Sequence, residues 1–452
     1  MIPVLTPEEM AAVDAAAPEP VAVLIERAGA AVARTALELL GGGYGRRVVV
    51  VAGKGNNGAD GRAAARRLRR RGARVVVLEA LDAPTGVPPC DLVIDAAYGT
   101  GFHGEHLPPD AGGAPVLAVD IPSGVDGLTG EVGGRALAAV RTVTFAALKP
   151  GLLLEPGRSL AGAVELADIG LDVGSSPVGL VERDDVAAWL PRRPTESHKW
   201  KAAVLLVAGS RGMAGAGHLA AGAAQRAGAG MVRVGSPGLD DDPQRPTEAI
   251  GVALPADGWD QAVLGAAPRF GAVVLGPGLG TSPGTAAAVR AVVTGTDRPV
   301  VLDGDALTVV GTDAPAVLAG RAGETVLTPH DGEYERLAGH APPADRIGAS
   351  RALAAATGAV VLLKGTTTIV ASPGGEVRIV TTGDARLATA GTGDVLSGVI
   401  GALLAQGVPA LEAAAAGAWL HGRAGAFGPR HGLVAGDLLA LLPAALAEVL
   451  DR

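Results

Sequence analysis

The chain has 452 residues, of which 48% are hydrophobic and 19% charged, and its formal net charge is −8. This composition excludes a disordered protein, and the length suggests two or three domains of about 100–200 residues each. The negative charge argues against a nucleic-acid partner. The single cysteine, Cys90, excludes an intrachain disulfide and any cysteine-based zinc site.

No apolar run reaches the roughly 18 residues that a membrane span requires. The stretch from Leu438 to Leu450 is apolar, but it is short and is interrupted by Pro443 and Glu448. The opening residues do not have the pattern of a signal peptide. We therefore expect a cytoplasmic protein with no membrane partner.

In the first 150 residues, short Val-rich segments alternate with Ala- and Arg-rich stretches. This alternation predicts an α/β fold with a mainly parallel sheet. The predicted strands are Val48–Val51, Val75–Leu78, Leu92–Ile94, Val116–Val119 and Val143–Phe145.

A second series of strands follows a turn-rich region, which predicts a domain boundary near residue 185 and domains of residues 1–185 and 186–452. Thr368–Val370 and Val377–Val380 flank a Ser-Pro-Gly-Gly turn and predict a β-hairpin. Two helices, from about Asp394 and about Leu411, are expected to close the chain. The other predicted strands are Val204–Val207, Val232–Val234, Val273–Leu275, Val300–Leu302, Val326–Leu327 and Val361–Leu363.

A glycine-rich segment directly follows the first predicted strand and begins a helix. Gly53, Gly55 and Gly58 fit the G-x-G-x-x-G pattern, and Glu79 lies 21 positions after Gly58. This spacing is typical of a dinucleotide site, where a helix N-terminus binds phosphate. Taken alone, it would suggest an NAD-dependent dehydrogenase.

Polar side chains around these glycines indicate a more elaborate site. Phosphate binding does not need the polar side chains of Asn56, Asn57 and Asp60. Their presence suggests that the site also holds a polar ring or a cation. Asp95 and Asp120 each follow a predicted strand. Because ligands of open α/β sheets bind beyond the carboxyl ends of the strands, these three loops are expected to converge.

The three loops read Asn-Asn-Gly-Ala-Asp-Gly from Asn56, Asp-Ala-Ala-Tyr-Gly-Thr-Gly from Asp95 and Asp-Ile-Pro-Ser-Gly from Asp120. They resemble the NAD(P)HX epimerase family, the YjeF N-terminal domain, and the resemblance covers roughly residues 1–170. The family usually has a second Gly at the position of Ala59. Because alanine has a Cβ, this position must have a negative φ. The resemblance implies a Rossmann-like three-layer sandwich.

The same resemblance implies roles for individual residues. Asp120 would be the catalytic acid or base and would also contact the substrate. Asn57, Asp95 and Ser123 would hold a potassium ion, and oxygen-only ligands suit such a hard cation. The other substrate-binding residues would be Asn56, Asn57, Gly58, Ala59, Asp60, Gly99, Thr100, Gly101, Phe102, His103, Gly104 and Glu105.

The C-terminal half has no Walker A pattern but carries Ala-Gly-Thr-Gly-Asp-Val-Leu-Ser-Gly from Ala390. Gly391 and Gly393 allow a nest of backbone amides, and the helix that follows directs its positive end at it. Asp394, in the first turn, can act as a base beside this anion site. Phosphoryl transfer to a hydroxyl requires this combination.

Gly-x-Gly-Asp before a helix resembles the ribokinase-like superfamily, and the surrounding residues narrow this to the NAD(P)HX dehydratase family over roughly residues 190–450. We therefore expect a ribokinase-like α/β domain. The narrowing rests on Ser197–Lys199, Ala208–Ala216, Arg226–Gly230, Gly276–Gly280 and Thr328–His330.

The dehydratase resemblance implies contacts to the hydrated cofactor from Ala216, from Gly278 or Gly280, from His330 and from Asp394. It implies that the nucleotide is ADP or ATP and that magnesium accompanies it. The nucleotide contacts would come from Lys364, Gly365, Thr366, Thr367, Thr368 and Gly393.

Together the two resemblances imply a bifunctional enzyme that repairs NADHX and NADPHX, the hydrated forms of NADH and NADPH, and that forms a homo-oligomer. An epimerase would interconvert the R and S forms, and a dehydratase would restore NAD(P)H from the S form. Three alternatives stay open: a vitamin-type small-molecule kinase, a dehydrogenase, and a non-catalytic binding role for the N-terminal half.

Overall fold

The computed structural model describes residues 1–239, 242 and 244–451. The chain divides into two compact units. One comprises Ile2–Val178, and the other comprises Gly179–Arg452 together with Met1.

The first unit is built on a parallel sheet of six strands in the order β3-β2-β4-β5-β6-β7. All five strands predicted for this half are present. The sixth, β7, was not predicted because it is a half-exposed edge strand without a continuous apolar run. The strands of this unit are β1 (Ile2–Pro3), β2 (Arg47–Ala52), β3 (Arg74–Glu79), β4 (Leu92–Ala96), β5 (Val116–Val119), β6 (Arg141–Phe145) and β7 (Ala163–Ala167).

Its helices include a close pair that presents the glycine-rich segment. A Cβ placed on Gly29 of the second helix would lie 2.4 Å from Cβ of Ala63 on the third, so small residues let these helices approach. The third helix begins at Asn56, beyond the end of β2. The helices are α1 (Pro7–Ala16), α2 (Val21–Leu40), α3 (Asn56–Arg70) and α4 (Gly157–Ala161).

The second unit contains a larger sheet in the order β8-β17-β16-β15-β14-β13-β12-β9-β10-β11. The seven neighbouring strands β15-β14-β13-β12-β9-β10-β11 pair in parallel. The antiparallel pair β16–β17 confirms the predicted hairpin. Two three-residue strands, the exposed β11 and the mostly buried β8, were not predicted. The strands are β8 (Val178–Leu180), β9 (Ala203–Val207), β10 (Met231–Gly235), β11 (Ile250–Val252), β12 (Ala272–Leu275), β13 (Val300–Leu302), β14 (Thr325–Leu327), β15 (Val360–Leu363), β16 (Thr368–Ala371) and β17 (Val377–Val380).

Three helices, not the predicted two, close the described chain. The third spans the apolar stretch that contains Pro443. Leu438, Leu442, Ala445 and Val449 recur at helical spacing and are buried, so their packing outweighs the cost of about 3 kcal/mol for an interior proline. The helices are α5 (Arg183–Trp189), α6 (Ala214–Arg226), α7 (Asp260–Ala266), α8 (Pro283–Gly295), α9 (Asp305–Val310), α10 (Ala314–Leu318), α11 (Asp331–Ala338), α12 (Arg346–Thr357), α13 (Thr392–Ala405), α14 (Ala410–Phe427) and α15 (Ala435–Leu450).

The predicted α/β class is confirmed by both sheets. Within the described residues, no helix combines the length and the apolar character that crossing a membrane requires.

Candidate active sites

The loops beyond β2, β4 and β5 converge on a cavity of about 590 Å³ in the first unit. Most of the predicted substrate residues line it. Gly58 and Ala59 lie behind this lining, whereas His103, Gly104 and Glu105 are exposed and lie outside it. The predicted residues in the lining are Asn56, Asn57, Asp60, Gly99, Thr100, Gly101, Phe102 and Asp120.

Two glycines where β2 leads into α3 have no room for a Cβ: Gly53 in the turn and Gly58 in the first turn of the helix. A Cβ on Gly53 would lie 1.9 Å from the carbonyl oxygen of Ala97, and a Cβ on Gly58 would lie 1.9 Å from the carbonyl oxygen of Gly53. Ala59 lies inside α3 and has no positive φ, so it fits where the family usually has Gly. The turn therefore brings backbone amides to the cavity.

Asp120 directly follows β5 and has a φ of 68°. This left-handed conformation costs a non-glycine residue about 1–3 kcal/mol, and such strain is typical of functional sites. Its Oδ1 lies 2.7 Å from Nζ of Lys149 and accepts from the Thr144 hydroxyl at 3.2 Å. Its Oδ2 accepts from the backbone amide of Thr100 at 3.0 Å and from the Thr100 hydroxyl.

These contacts determine the charge of Asp120. Burial acts to raise the pKa of its carboxyl, but Lys149 and the hydrogen bonds from Thr100 together outweigh it and lower the pKa below its usual value. Asp120 is therefore ionised at neutral pH and can accept a proton.

Lys149 is a site residue that the sequence reasoning missed. Its side chain is 1% exposed, and its amino group also donates to the Thr144 hydroxyl at 2.9 Å and to the carbonyl of Phe145 at 3.0 Å. A lone lysine among apolar residues has no motif. Its position just beyond β6, at the edge of the sheet where Asp120 lies, was the signal available.

Asp60 lines the same cavity as Asp120 but is protonated where Asp120 is ionised. It is 7% exposed, and burial, followed by the negative charges of Asp120 and Asp14, raises its pKa to about 8. Asp60 therefore keeps its proton at neutral pH, so Asp60 and Asp120 are two carboxyls of the same cavity in different protonation states. Such a pair is typical of acid–base catalysis.

Asp95 and Ser123 are joined beneath the loops. The Ser123 hydroxyl donates to Oδ1 of Asp95 at 2.6 Å, and its backbone amide donates to Oδ2 at 2.9 Å. The side-chain Oδ1 and Nδ2 of Asn57 are buried and have no partner among the described residues. Those residues contain no group of three His, Cys, Asp or Glu for a metal, so a cation here would depend on amide, hydroxyl and single carboxylate oxygens. This donor set fits potassium.

The second unit contains a cavity of about 760 Å³ beside the start of α13. Thr367 is buried outside its lining. Ala216, Gly278 and Gly280 also lie outside it: a Cβ on Gly278 would be 2.9 Å from Cβ of Ala216, and the amide of Gly280 donates to Asp305 at 2.7 Å. The predicted residues that line the cavity are His330, Lys364, Gly365, Thr366, Thr368, Gly393 and Asp394.

The start of α13 is formed by the glycine motif. Gly391 has a φ of 89° and caps the helix, and Asp394 lies in the first turn. Burial, then the charge of Asp303, raises the pKa of Asp394 to about 7, although Lys364 acts in the opposite direction. A carboxyl that titrates near neutral pH suits a general base.

Lys364 is held at the cavity by two acidic residues that the sequence reasoning missed. Its Nζ lies 3.0 Å from Oδ1 of Asp303 and 3.4 Å from Oε2 of Glu333. Burial acts to lower the pKa of Lys364, but these carboxylates hold it above its usual value. Asp303 in turn accepts from the hydroxyls of Ser397 and Thr328, both at 2.7 Å. Lys364 thus stays cationic beside the amides of α13.

His330 caps α11. Its Nδ1 accepts from the backbone amides of Gly332 at 3.0 Å and Glu333 at 3.3 Å. Its proton is therefore on Nε2, which lies 3.4 Å from Oε1 of Glu333 on a half-exposed side chain.

Family models match both units. The model described as NAD(P)H-hydrate dehydratase matches residues 204–444, and the model described as YjeF-related protein N-terminus matches residues 21–86 and 78–151. The bifunctional NAD(P)H-hydrate repair enzyme Nnr of Mycobacterium leprae is 40% identical over an alignment 443 positions long, gaps included, which covers 90% of this chain and 89% of that protein. The chain belongs to this family of bifunctional NAD(P)H-hydrate repair enzymes. Both predicted resemblances are therefore confirmed.

A second bifunctional repair enzyme and a dehydratase of known structure are also similar to this chain. The Escherichia coli K12 relative is 33% identical over 90% of this chain and 86% of its own. The ADP/ATP-dependent NAD(P)H-hydrate dehydratase from Bacillus subtilis, co-crystallised with ATP and Mg²⁺, is 32% identical with a TM-score of 0.51, and covers 59% of this chain and 97% of that one. A ribokinase-like protein from Enterococcus faecalis, 24% identical with a TM-score of 0.55, supports the fold alone.

Proposed function

We propose that the first unit interconverts the R and S epimers of NADHX and NADPHX, and that the second unit converts the S epimer to NADH or NADPH with an adenine nucleotide. Membership of the bifunctional family and the presence of two separate cavities, each with a carboxyl suited to proton transfer, support this assignment. The cytoplasmic location and the homo-oligomer expected from the sequence stay part of the proposal.

Epimerisation requires the hydroxyl on C6 of the nicotinamide ring to leave and to return on the other face. The protonated Asp60 is suited to give a proton to the departing hydroxyl, which leaves as water. The ionised Asp120, held by Lys149 and Thr100, is suited to take a proton from the water that adds to the opposite face. One proton is donated and one is accepted, so the conversion of substrate to product balances; Asp120 then returns its proton to Asp60 through solvent before the next turnover.

Asn57, Asp95 and Ser123 are the residues that would hold a potassium ion. The buried, unpartnered amide of Asn57 and the carboxylate of Asp95 support this placement. The ion would supply a fixed positive charge next to the loop that carries Asn57.

In the second unit, Asp394 would take the proton of the C6 hydroxyl as that oxygen attacks the terminal phosphoryl group of the nucleotide. The amides at the start of α13 and the cationic Lys364 would stabilise the charge on the transferred group. The C6–O bond then breaks with loss of phosphate and of a proton from C5, which restores the C5–C6 double bond.

The nucleotide we propose is ADP, with ATP as an alternative, accompanied by magnesium. Magnesium is commonly held by one or two carboxylates together with substrate phosphates, so it does not require a cluster of three protein ligands. Besides the base Asp394, the carboxylates that line this cavity include Asp303 and Glu333, whose charges raise the pKa of Asp394.

The position of Asp394 in the first turn of α13, in a cavity that Lys364 also lines, is the observation on which the dehydratase assignment depends most. The test is recovery of near-ultraviolet dihydronicotinamide absorbance from a mixture of both NADHX epimers with magnesium and ADP or ATP. Complete recovery is expected. No recovery by folded protein with either nucleotide would reject the assignment in favour of a small-molecule kinase.

A further inference from the structure

His421 lies on α14 and lines the cavity of the second unit, yet the proposed chemistry does not use it. It is 8% exposed, and its Nε2 is buried and has no partner among the described residues. An unsatisfied polar atom in such a place costs stability unless a ligand satisfies it.

The other side of the ring is anchored. Burial, and to a smaller extent Lys364, lowers the pKa of His421 to about 4, whereas a hydrogen bond to the backbone of Thr392 acts in the opposite direction. That direction is expected when a ring N–H donates to a carbonyl. Because Nε2 has no partner, Nδ1 is the donor, and the neutral ring presents a bare lone pair on Nε2.

Close packing fixes α14 against the loop that precedes α13. A Cβ on Gly422 would lie 2.3 Å from the hydroxyl oxygen of Thr382 and 2.6 Å from the amide of Gly383. The Thr382 hydroxyl also donates to the carbonyl of Trp419 at 3.0 Å. The backbone that carries His421 therefore has little freedom to turn its ring away from the cavity.

A lone pair selects a ligand group that carries a hydrogen. Phosphate oxygens are acceptors and fit Lys364 and the amides of α13 instead. The nucleoside part of an adenine nucleotide offers donors at the 6-amino group and at the ribose hydroxyls. Guanine and hypoxanthine carry an oxygen at position 6 and offer no amino group there.

We propose that His421 determines nucleoside specificity in the second unit by accepting a hydrogen bond at Nε2 from the 6-amino group of adenine. This inference rests on the proposed function, because it takes the cavity to be the nucleotide site. A ribose hydroxyl could satisfy the same atom, and the experiment separates the two donors.

The wild-type enzyme is tested with ADP, inosine diphosphate, which lacks the 6-amino group, and 2′-deoxy-ADP. Each nucleotide is followed both by dehydration of S-NADHX and by direct binding calorimetry. We expect inosine diphosphate to bind roughly tenfold more weakly than ADP, as loss of one hydrogen bond predicts, and 2′-deoxy-ADP to match ADP. Equal affinities for ADP and inosine diphosphate would overturn the proposal, as would a loss confined to 2′-deoxy-ADP.

Two variants assign the effect to His421. His421→Asn keeps a side-chain amide near the Nδ1 position and removes the group at Nε2, whereas His421→Gln places an amide near Nε2. We expect His421→Asn to raise the KM for ADP roughly tenfold with little change in kcat and to bind ADP and inosine diphosphate equally, and His421→Gln to restore part of the preference. Full discrimination in His421→Asn would overturn the proposal.

The epimerase activity of the first unit serves as the control for correct folding of the His421 variants. Epimerase activity should be unchanged in both variants, because His421 lies in the other unit. If no NADH is recovered with ADP, the proposed dehydratase fails, and the calorimetric preference for ADP still decides the role of His421.

Discussion

The carboxylate of Asp120 and the ammonium of Lys149 lie 2.7 Å apart, with only 1% of the lysine side chain and 14% of the aspartate side chain exposed. Each member compensates a charge that burial would otherwise disfavour. The pair also holds a residue in the left-handed conformation, because Asp120 has a φ of 68°. Removing either partner should therefore affect both the charge state and the stability of the first unit.

Lys149→Met should raise the pKa of Asp120, because burial then acts without the opposing cation, and epimerase activity at neutral pH should fall at least tenfold. The unpaired carboxylate should also lower the free energy of unfolding by about 3 kcal/mol. Recovery of NADH from R-NADHX, which requires epimerisation first, and a thermal melt measure the two effects, and dehydration of pure S-NADHX should be unchanged. Lys201→Met, at an exposed lysine of the second unit, is the control. Unchanged epimerisation in Lys149→Met would contradict the role given to the pair.

Asp60 should set the alkaline limit of epimerisation. Burial and the charges of Asp120 and Asp14 raise its pKa to about 8, so it carries a proton below that pH and loses it above. The epimerase rate should therefore fall as the pH rises through about 8. Asp60→Asn should lower the rate roughly 100-fold and abolish this fall, because an amide cannot give up a proton.

The matched control for Asp60 is Asp14→Asn, at another carboxyl that lines the cavity and has a raised pKa. It should keep most of the epimerase rate. A wild-type rate in Asp60→Asn would show that Asp60 does not donate the proton.

Asp394 should give the dehydratase the opposite dependence on pH. Burial and Asp303 raise its pKa to about 7, and a base must be ionised, so the rate should rise as the pH passes through about 7. Asp394→Asn should reduce the rate at least 100-fold. Initial rates with S-NADHX and ADP, measured from below to above pH 7, give both the pH dependence of the wild type and the loss of rate in Asp394→Asn. Asp384→Asn is the control, since that carboxylate lines the cavity but pairs with Arg386. A pH-independent wild-type rate would argue against the assignment.

Sequence patterns predicted the buried strands well because central parallel strands require continuous apolar runs. The exposed β7 and β11 have no such run and were missed, and α15 was missed because Pro443 breaks the local pattern while packing still stabilises the helix. The motif residues Asp120 and Asp394 were identifiable since each follows a strand or begins a helix in a glycine-rich setting.

The partners of those residues were harder to predict. Lys149 and His421 act through contacts between segments far apart in the chain, and a single Lys or His carries no local pattern. Asp303 directly follows β13 and precedes a glycine, so it had the same local signal as Asp120, but its contact with Lys364 could not be read from the sequence. Only the assembled sheet shows that they face a cavity.

The last prediction concerns the turn that presents the amides of α3. Gly58→Ala should destabilise the first unit by about 3 kcal/mol or more, because the added Cβ would lie 1.9 Å from the carbonyl oxygen of Gly53 and the backbone must move. Gly55→Ala is the matched control: Gly55 is the N-cap residue of the same helix with a φ of −83°, and a Cβ there would contact nothing within 4 Å. Denaturant unfolding of both variants gives the difference. Because the turn lines the cavity, Gly58→Ala should also lose epimerase activity while dehydration of S-NADHX continues; equal stability of the two variants would refute the close approach of Gly58 to Gly53.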